Sequence, residues 1–157
     1  MPRAGNTSRM TNDDVHARLE KLASIAAARN VTQQYARAID SLDWDLLTET
    51  FTEDANLISR SSSHVGREAV LANYRRALEP PVDRKHFIIN TSAEWMSRGE
   101  VIVNSYFIYT YAGDETSILG WGNYTDRVRI ENGVARIAEK RISIDRSGTV
   151  LPGWMNS

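Results

Sequence analysis

The chain has 157 residues, of which 41% are hydrophobic and 25% charged, with no cysteine and a formal net charge of −1. One globular domain fits this length, and the lack of cysteine excludes disulfides, thiolate nucleophiles and sulfur-ligated zinc. The net charge gives no basic surface for nucleic acid, and no apolar run approaches the roughly 20 residues that span a bilayer. We therefore expect a cytoplasmic protein that binds neither nucleic acid nor a membrane.

The first half of the sequence predicts three helices and a short strand. After a disordered N-terminal tail over residues 1–11, apolar residues recur at helical spacing from about residue 13 to 41. Residues 43–49 predict a second, short helix, and residues 56–59 predict a strand. A third helix begins after Gly66 and extends to about Leu78, because Pro80-Pro81 cannot continue its hydrogen-bond ladder.

The second half of the sequence changes to a period of two, which is typical of strands. The four predicted strands are Lys85–Met96, Glu100–Ala112, Thr116–Ile130 and Val134–Asp145, with connections of hairpin length between them. Helices followed by an antiparallel meander predict an α+β domain over residues 12–147, with a C-terminal tail over residues 148–157.

Four motifs occur in a recognisable order along the chain. They are Tyr35–Asp45 with its Asp-Trp-Asp ending, Phe51–Ala55, Lys85–Asn90 and Gly122–Asp126. Together they resemble the SnoaL-like, scytalone dehydratase-like branch of the nuclear transport factor 2-like superfamily. The resemblance implies a cystatin-like roll: a cone-like, curved antiparallel sheet, wrapped by three N-terminal helices around a partly apolar pocket.

The resemblance also implies a catalytic pair. In the scytalone dehydratase-like members an aspartate after the first helix holds a strand histidine that acts as general base, and the matching positions here are Asp40 and His86. A carboxylate bound to one imidazole nitrogen fixes the tautomer and leaves the other nitrogen free to accept a substrate proton. The alternative is structural: Asp40 caps a helix end, and His86 is an interior histidine with satisfied hydrogen bonds.

Further residues are candidates for the pocket. Tyr35 is a catalytic candidate, five residues before Asp40 on the same helix, where some lyases of this group use a side chain to stabilise an oxyanion. The alternative is an ordinary core tyrosine with a hydrogen-bonded hydroxyl. The candidates for substrate binding are Arg141, Asn90, Ser105, Tyr124 and Tyr106, each with an ordinary strand role as its alternative. Neither a metal site nor a cofactor is predicted.

The sequence thus predicts a cofactor-independent lyase or isomerase of the dehydratase or cyclase type, acting on a small apolar oxygenated molecule. Two alternatives stay open. The chain also resembles the non-catalytic small subunit of aromatic-ring-hydroxylating dioxygenases, and a ligand-binding module is the third possibility. In each case we expect a homo-oligomer, a dimer or a trimer, formed through an uncovered sheet face that carries Trp95 and Trp121.

Overall fold

The computed structural model describes residues 11–113 and 116–150, and the predicted tails therefore lie largely outside the described residues. Six strands form one sheet; two helices come before the first strand, and a third helix lies between the second and third strands. The helices are α1 (Asn12–Ser41), α2 (Trp44–Thr50) and α3 (Arg67–Ala77), and the strands are β1 (Phe51–Ile58), β2 (Ser63–Val65), β3 (Asp83–Ser97), β4 (Glu100–Ala112), β5 (Ser117–Glu131) and β6 (Val134–Val150).

The three helices begin and end close to the predicted positions because local signals fix them. Thr11 caps α1 through a capping box in which the Asp14 N–H donates to the Thr11 hydroxyl and the Thr11 N–H donates to the Asp14 carboxylate. Leu42 ends α1 in the left-handed region, and the Asp43 carboxylate then accepts from the Leu46 N–H to begin α2. Within the described part of the chain, no helix is both long enough and apolar enough to cross a bilayer.

The sheet is curved, unclosed and mixed, with the order β2-β1-β6-β5-β4-β3. Strands β3 to β6 form the predicted antiparallel meander, whereas β1 pairs in parallel with β6. Between β1 and α3 the chain forms the short strand β2, which pairs with β1. Strand β6 continues to Val150, three residues beyond the predicted end of the domain at 147, because its last residues still pair with β5.

One face of the sheet is covered by the helices and holds the core. Helix α1 presents residues at spacings of three and four to this face, among them Ala28, Val31, Tyr35 and Ile39, all fully or almost fully buried. The opposite face, here called the outer face, keeps several large apolar side chains exposed, including Phe87, Tyr106 and Trp121. The cavity described below lies between this covered face and the helices α1 and α3.

A bulge in β3 reverses which side chains meet α1. Asn90 and Thr91 together oppose Ser105 of β4, and Asn90 has a φ of +49°. The extra residue shifts the alternation, so Trp95 turns toward α1, where the Lys21 ammonium lies 5.3 Å from the centre of its ring. The expectation that Trp95 shares the uncovered face with Trp121 is therefore wrong.

Gly122 allows β5 and β6 to approach each other, and a side chain there is expected to be costly. A Cβ at Gly122 would overlap the carbonyl oxygen of Ser143, whereas a Cβ at Gly148 meets nothing within 4 Å. We expect Gly122→Ala to lower the free energy of unfolding by about 2 kcal/mol or more, since the obstacle is backbone. Gly148→Ala, the matched control, should change it by less than about 1 kcal/mol. Urea unfolding of both variants tests this, and equal stabilities would contradict it.

Candidate active site

Asp40 and His86 form a close pair at the covered face of the sheet. The His86 Nδ1 lies 2.7 Å from the Asp40 Oδ1, and the His86 backbone N–H donates to the Asp40 Oδ2 at 3.0 Å. Only 7% of the His86 side chain and 13% of the Asp40 side chain are exposed. An ionised carboxylate can only accept, so the His86 Nδ1 carries the proton of this bond, and the Nε2 of a neutral ring keeps its lone pair.

The pair is held by two rigid elements. Asp40 lies in the last turn of α1, one residue beyond the buried Ile39, which turns its carboxylate toward β3. His86 lies near the start of β3, where the strand alternation points Arg84, His86 and Ile88 toward the helices. The ring of His86 is also stacked on Tyr109, with 6.1 Å between ring centres and an interplanar angle of 24°. The imidazole is therefore fixed in both position and tilt.

His86 forms part of the wall of a cavity of about 340 Å³, a volume at the lower end of the range for small-molecule sites. Most of the lining is aromatic or aliphatic, and five of the six tyrosines in the chain contribute to it. The lining residues are Tyr35, Ile39, Ser59, Tyr74, Ala77, Leu78, His86, Phe107, Tyr109, Tyr111, Tyr124, Ile142 and Ile144.

Three of these tyrosines, Tyr35, Tyr74 and Tyr124, form what we call the tyrosine wall. The hydroxyls of Tyr35 and Tyr74 share a hydrogen bond of 2.8 Å, and the rings of Tyr35 and Tyr124 meet edge to face at 5.8 Å. Burial raises the pKa of all three hydroxyls, well above the ordinary value for Tyr35 and Tyr124. A phenol is protonated at neutral pH even at its ordinary pKa, and burial extends this range to higher pH. One of the two hydroxyls in the Tyr35–Tyr74 bond donates to the other, and the second keeps its proton for another acceptor.

A buried ion pair supports the tyrosine wall from behind. The Lys140 ammonium lies 2.9 and 3.1 Å from the two Asp126 carboxylate oxygens, and Thr32 donates a further hydrogen bond to Asp126. The same ammonium lies 3.9 Å from the ring centre of Tyr35 and 3.8 Å from that of Tyr124. Burial lowers the pKa of Lys140, and the attraction of Asp126 opposes that shift.

The structure brings together four of the eight residues that the sequence singled out. Asp40 contacts His86, and His86, Tyr35 and Tyr124 line the cavity. Ser105 is buried on the covered face, outside this lining, and its hydroxyl has no hydrogen-bond partner over the described residues.

The other three candidates lie away from the cavity, and their predicted contact with a substrate there has no support in this geometry. Asn90 is exposed at the β3 bulge, and Tyr106 is 53% exposed on the outer face. Arg141 also points outward, with 56% of its side chain exposed and its Nε 2.8 Å from the Glu139 carboxylate. Asn90 and Arg141 each belong to a strand with a bulge near the residue, so simple alternation does not fix the face they occupy.

Several residues that line or support the cavity were not predicted from the sequence. Tyr109 and Tyr111 follow Phe107 at a spacing of two on β4, so alternation could have grouped them once one member was known to face inward. Tyr74 lies on the buried face of α3 and reaches the cavity only through the packing of α3 on β1, which brings its hydroxyl to that of Tyr35. For Lys140 the sequence carries no comparable signal.

No group of three or more His, Asp or Glu side chains able to hold a metal ion is present among residues 11–113 and 116–150. The polar groups at the cavity are thus one imidazole, supported by a carboxylate, and a set of hydroxyls. Such a set can remove a proton from a bound molecule and donate hydrogen bonds to it.

Three helices packed on a curved sheet, with an apolar cavity between them and an aspartate–histidine pair at its wall, define a small α+β protein of the nuclear transport factor 2-like superfamily. The chain belongs to the SnoaL-like domain family, whose model matches residues 20–141. A search of curated proteins gives no match.

Solved structures share this fold at low sequence identity. A type 2 hexachlorocyclohexane dehydrochlorinase (LinA) has a TM-score of 0.80 and 18% identity, covering 89% of this chain and 97% of its own. A protein of *Novosphingobium aromaticivorans* DSM 12444, provisionally assigned as a scytalone dehydratase, has a TM-score of 0.73 and 17% identity, with coverages of 89% and 99%. An NTF2-like protein with a cystatin-like fold, also from *Novosphingobium aromaticivorans*, has a TM-score of 0.73, 18% identity and coverages of 88% and 92%.

The bond between Asp40 and His86 predicts which tautomer His86 adopts. In the wild-type protein at a pH where the ring is neutral, we expect the proton on Nδ1, because Asp40 accepts it. In Asp40→Ala the acceptor is lost, and the population should shift toward the tautomer protonated on Nε2. Long-range ¹H–¹⁵N spectra of labelled histidine distinguish the two forms. His16 and His64 serve as internal controls whose signals should not change, and an unchanged His86 signal would refute the assignment.

Proposed function

We propose that this chain is a cofactor-independent lyase or isomerase that removes a proton from carbon beside the carbonyl group of a small, largely apolar molecule. The observation that carries the proposal is the bond between Asp40 and His86 at the wall of an apolar cavity. A general base needs a free lone pair within reach of the substrate, and this pair offers one on the Nε2 of His86. Asp40 stabilises the imidazolium that forms when the proton arrives.

The chemistry proceeds in two balanced steps. In the first, the Nε2 of His86 takes the proton, and the electron pair of the C–H bond passes into an enolate. In the second, the enolate either expels a group from the neighbouring carbon, which gives a lyase, or accepts the proton back at another carbon, which gives an isomerase. The imidazolium returns its proton to the leaving group or to that carbon, and neutral His86 is restored.

The enolate oxygen needs a hydrogen-bond donor, and the tyrosine wall is the group we assign to that role. The hydroxyls of Tyr35 and Tyr74 are protonated at neutral pH, burial raises the pKa of both further, and the two hydroxyls share one hydrogen bond. A donor held by packing in a site with little water stabilises a developing oxyanion more strongly than bulk water does. Tyr35 therefore keeps its predicted catalytic role in this proposal, with Tyr74 as its partner.

The same cavity helps to distinguish an enzyme from the two alternatives, a scaffold subunit and a ligand-binding module. A subunit that served only as a scaffold would have no need for an open space at the core. Here that space of about 340 Å³ has a supported imidazole on its wall. The cavity therefore favours the enzyme over the scaffold, and a test of proton removal separates the enzyme from a ligand-binding module.

Hydrogen–deuterium exchange in D₂O tests proton removal before the natural substrate is known. A panel of small cyclic ketones is incubated with the protein, and loss of the proton signal beside the carbonyl is followed by NMR. We expect at least one ketone to exchange faster with the wild type. His86→Gln should reduce that catalysed rate by about 10²- to 10⁴-fold, the usual contribution of a general base.

The matched control for this experiment is His16→Gln. His16 is exposed on the first turns of α1, far along the chain from the cavity residues, and its replacement should leave the rate within about twofold. If His86→Gln exchanges every ketone as fast as the wild type does, the general-base role is lost. If no ketone exchanges with the wild type while ligands still bind, the ligand-binding module becomes the better description.

We also propose that the outer face joins copies of this chain. Phe87, Ile108 and Trp121 lie side by side in one row across β3, β4 and β5, and Ile89 and Tyr106 lie in the adjacent row. Trp121 is 48% exposed and Tyr106 is 53% exposed. A contiguous apolar patch of this kind usually marks an interface, and a second copy supplies the same patch.

Substitution of Trp121 tests the assembly. Trp121→Glu places a charge at the centre of the patch and should convert the oligomer, a dimer or a trimer, to monomers in size-exclusion chromatography with light scattering. Leu22→Glu is the matched control, because Leu22 is 63% exposed on α1, away from the outer face. A wild-type chain that is monomeric at all accessible concentrations would remove this proposal.

A further inference from the structure

Lys140 is a fully buried charged residue to which the proposed reaction gives no role. Its side chain and that of Asp126 are both 0% exposed, and the pair is completed by the hydrogen bond from Thr32. The ammonium donates to both Asp126 oxygens on one side and lies against the rings of Tyr35 and Tyr124 on the other. The pair therefore forms a dipole whose positive end is turned to the tyrosine wall.

Stability alone does not explain this arrangement. Removing two charges from water is costly, and replacing a buried ion pair by apolar side chains of similar size is often neutral or stabilising. Apart from Asp126, the Lys140 ammonium lies against the rings of Tyr35 and Tyr124, so two apolar side chains in place of the ion pair would have aromatic neighbours. The position of the charge, between two rings that line the cavity, points to a role at the cavity.

The charge can act on the tyrosine hydroxyls through their rings. An ammonium below the face of an aromatic ring is attracted to its negative face and draws electron density toward itself. A phenol that loses electron density in this way becomes a stronger hydrogen-bond donor. At 3.9 Å from the ring centre of Tyr35, Lys140 is close enough to exert this effect on the hydroxyl that bonds to Tyr74.

We propose that Lys140 and Asp126 are positioning residues that hold the tyrosine wall and strengthen it as a binding site for an oxyanion. The cavity then selects substrates that develop negative charge on oxygen, such as carbonyl compounds that form enolates, over apolar molecules that eliminate a group without such an oxygen. This inference rests on the proposed function and specifies its substrate class. Lys140 itself acts through Tyr35 and Tyr124 and does not touch the substrate.

The experiment compares two ring compounds of similar size that differ in charge. *p*-Nitrophenolate carries an oxyanion and absorbs visible light, and nitrobenzene is the neutral reference. Their affinities are measured at one pH above the pKa of free *p*-nitrophenol, for the wild type and for Lys140→Met/Asp126→Leu. We expect the ratio of the phenolate affinity to the nitrobenzene affinity to fall by about tenfold in the double variant, with nitrobenzene binding nearly unchanged.

Variants at Tyr35 and Tyr124 separate an effect through the rings from a general change of packing. Tyr35→Phe/Tyr124→Phe keeps both rings beside Lys140 and removes their hydroxyls, so it should lower the same ratio by itself. Adding Lys140→Met/Asp126→Leu to this pair should then change the ratio by less than about twofold, because the donors on which the charge acts are absent. A further tenfold loss in the combined variant would mean that the charge acts without these hydroxyls, and would overturn the inference.

Single substitutions of Lys140 keep the test decisive if the double variant does not fold. Lys140→Gln removes the charge while its amide can still donate to Asp126, and it should lower the ratio as the double variant does. Lys140→Arg keeps a cation beside the rings and should retain most of the wild-type ratio. A folded Lys140→Gln with an unchanged ratio would refute the inference and leave the Asp40–His86 proposal standing. A wild type that binds neither ring compound would also overturn the inference, whereas the Asp40–His86 proposal is decided separately by the exchange of ketones.

Discussion

The carboxylate of Asp40 makes two bonds to one residue, accepting from the backbone N–H of His86 and from its Nδ1. These bonds join the end of α1 to the start of β3 at one wall of the cavity. The backbone bond fixes the approach of helix to strand, and the side-chain bond fixes the ring. The contact that closes this end of the fold therefore also orients the candidate base, and the placement of the lining side chains depends on it.

Polar groups at the cavity are arranged in two layers. The inner layer is made of His86 and the tyrosines that line the cavity. The outer layer is made of charges that the cavity does not contact directly, Asp40 behind His86 and the Lys140–Asp126 pair behind Tyr35 and Tyr124. Each charge is bound to a partner that offsets its desolvation. In the proposed reaction the outer layer stabilises two charges that form during proton removal. One is the positive charge on His86, and the other is the negative charge on the substrate oxygen that the tyrosines bind.

Two β-bulges decide which side chains reach the cavity, and they explain where the sequence prediction fails. In β6, the pairing that starts at the Asn132-Gly133 turn would place Asp126 opposite Glu139, with Arg141 facing inward. The extra residue Ala138 shifts the register by one, so Asp126 meets Lys140, and Arg141 turns outward. In β3, the bulge at Asn90 has the corresponding effect on Trp95. Neither bulge has a glycine or proline to mark it, so alternation alone could not detect them.

The sequence by itself determined the helices, the hairpins, the α+β class and the Asp40–His86 pair. Those features depend on local signals, such as capping residues, turn residues and apolar periodicity, and on motifs that resemble a known family. The tertiary structure decided the mixed sheet, the convergence of five tyrosines from two helices and two strands, and the burial of Lys140 behind them. These features depend on strand register and on helix packing between residues distant in the chain. A local sequence pattern determines neither the strand register nor the helix packing. In a strand, for example, one inserted residue reverses the face of every side chain that follows.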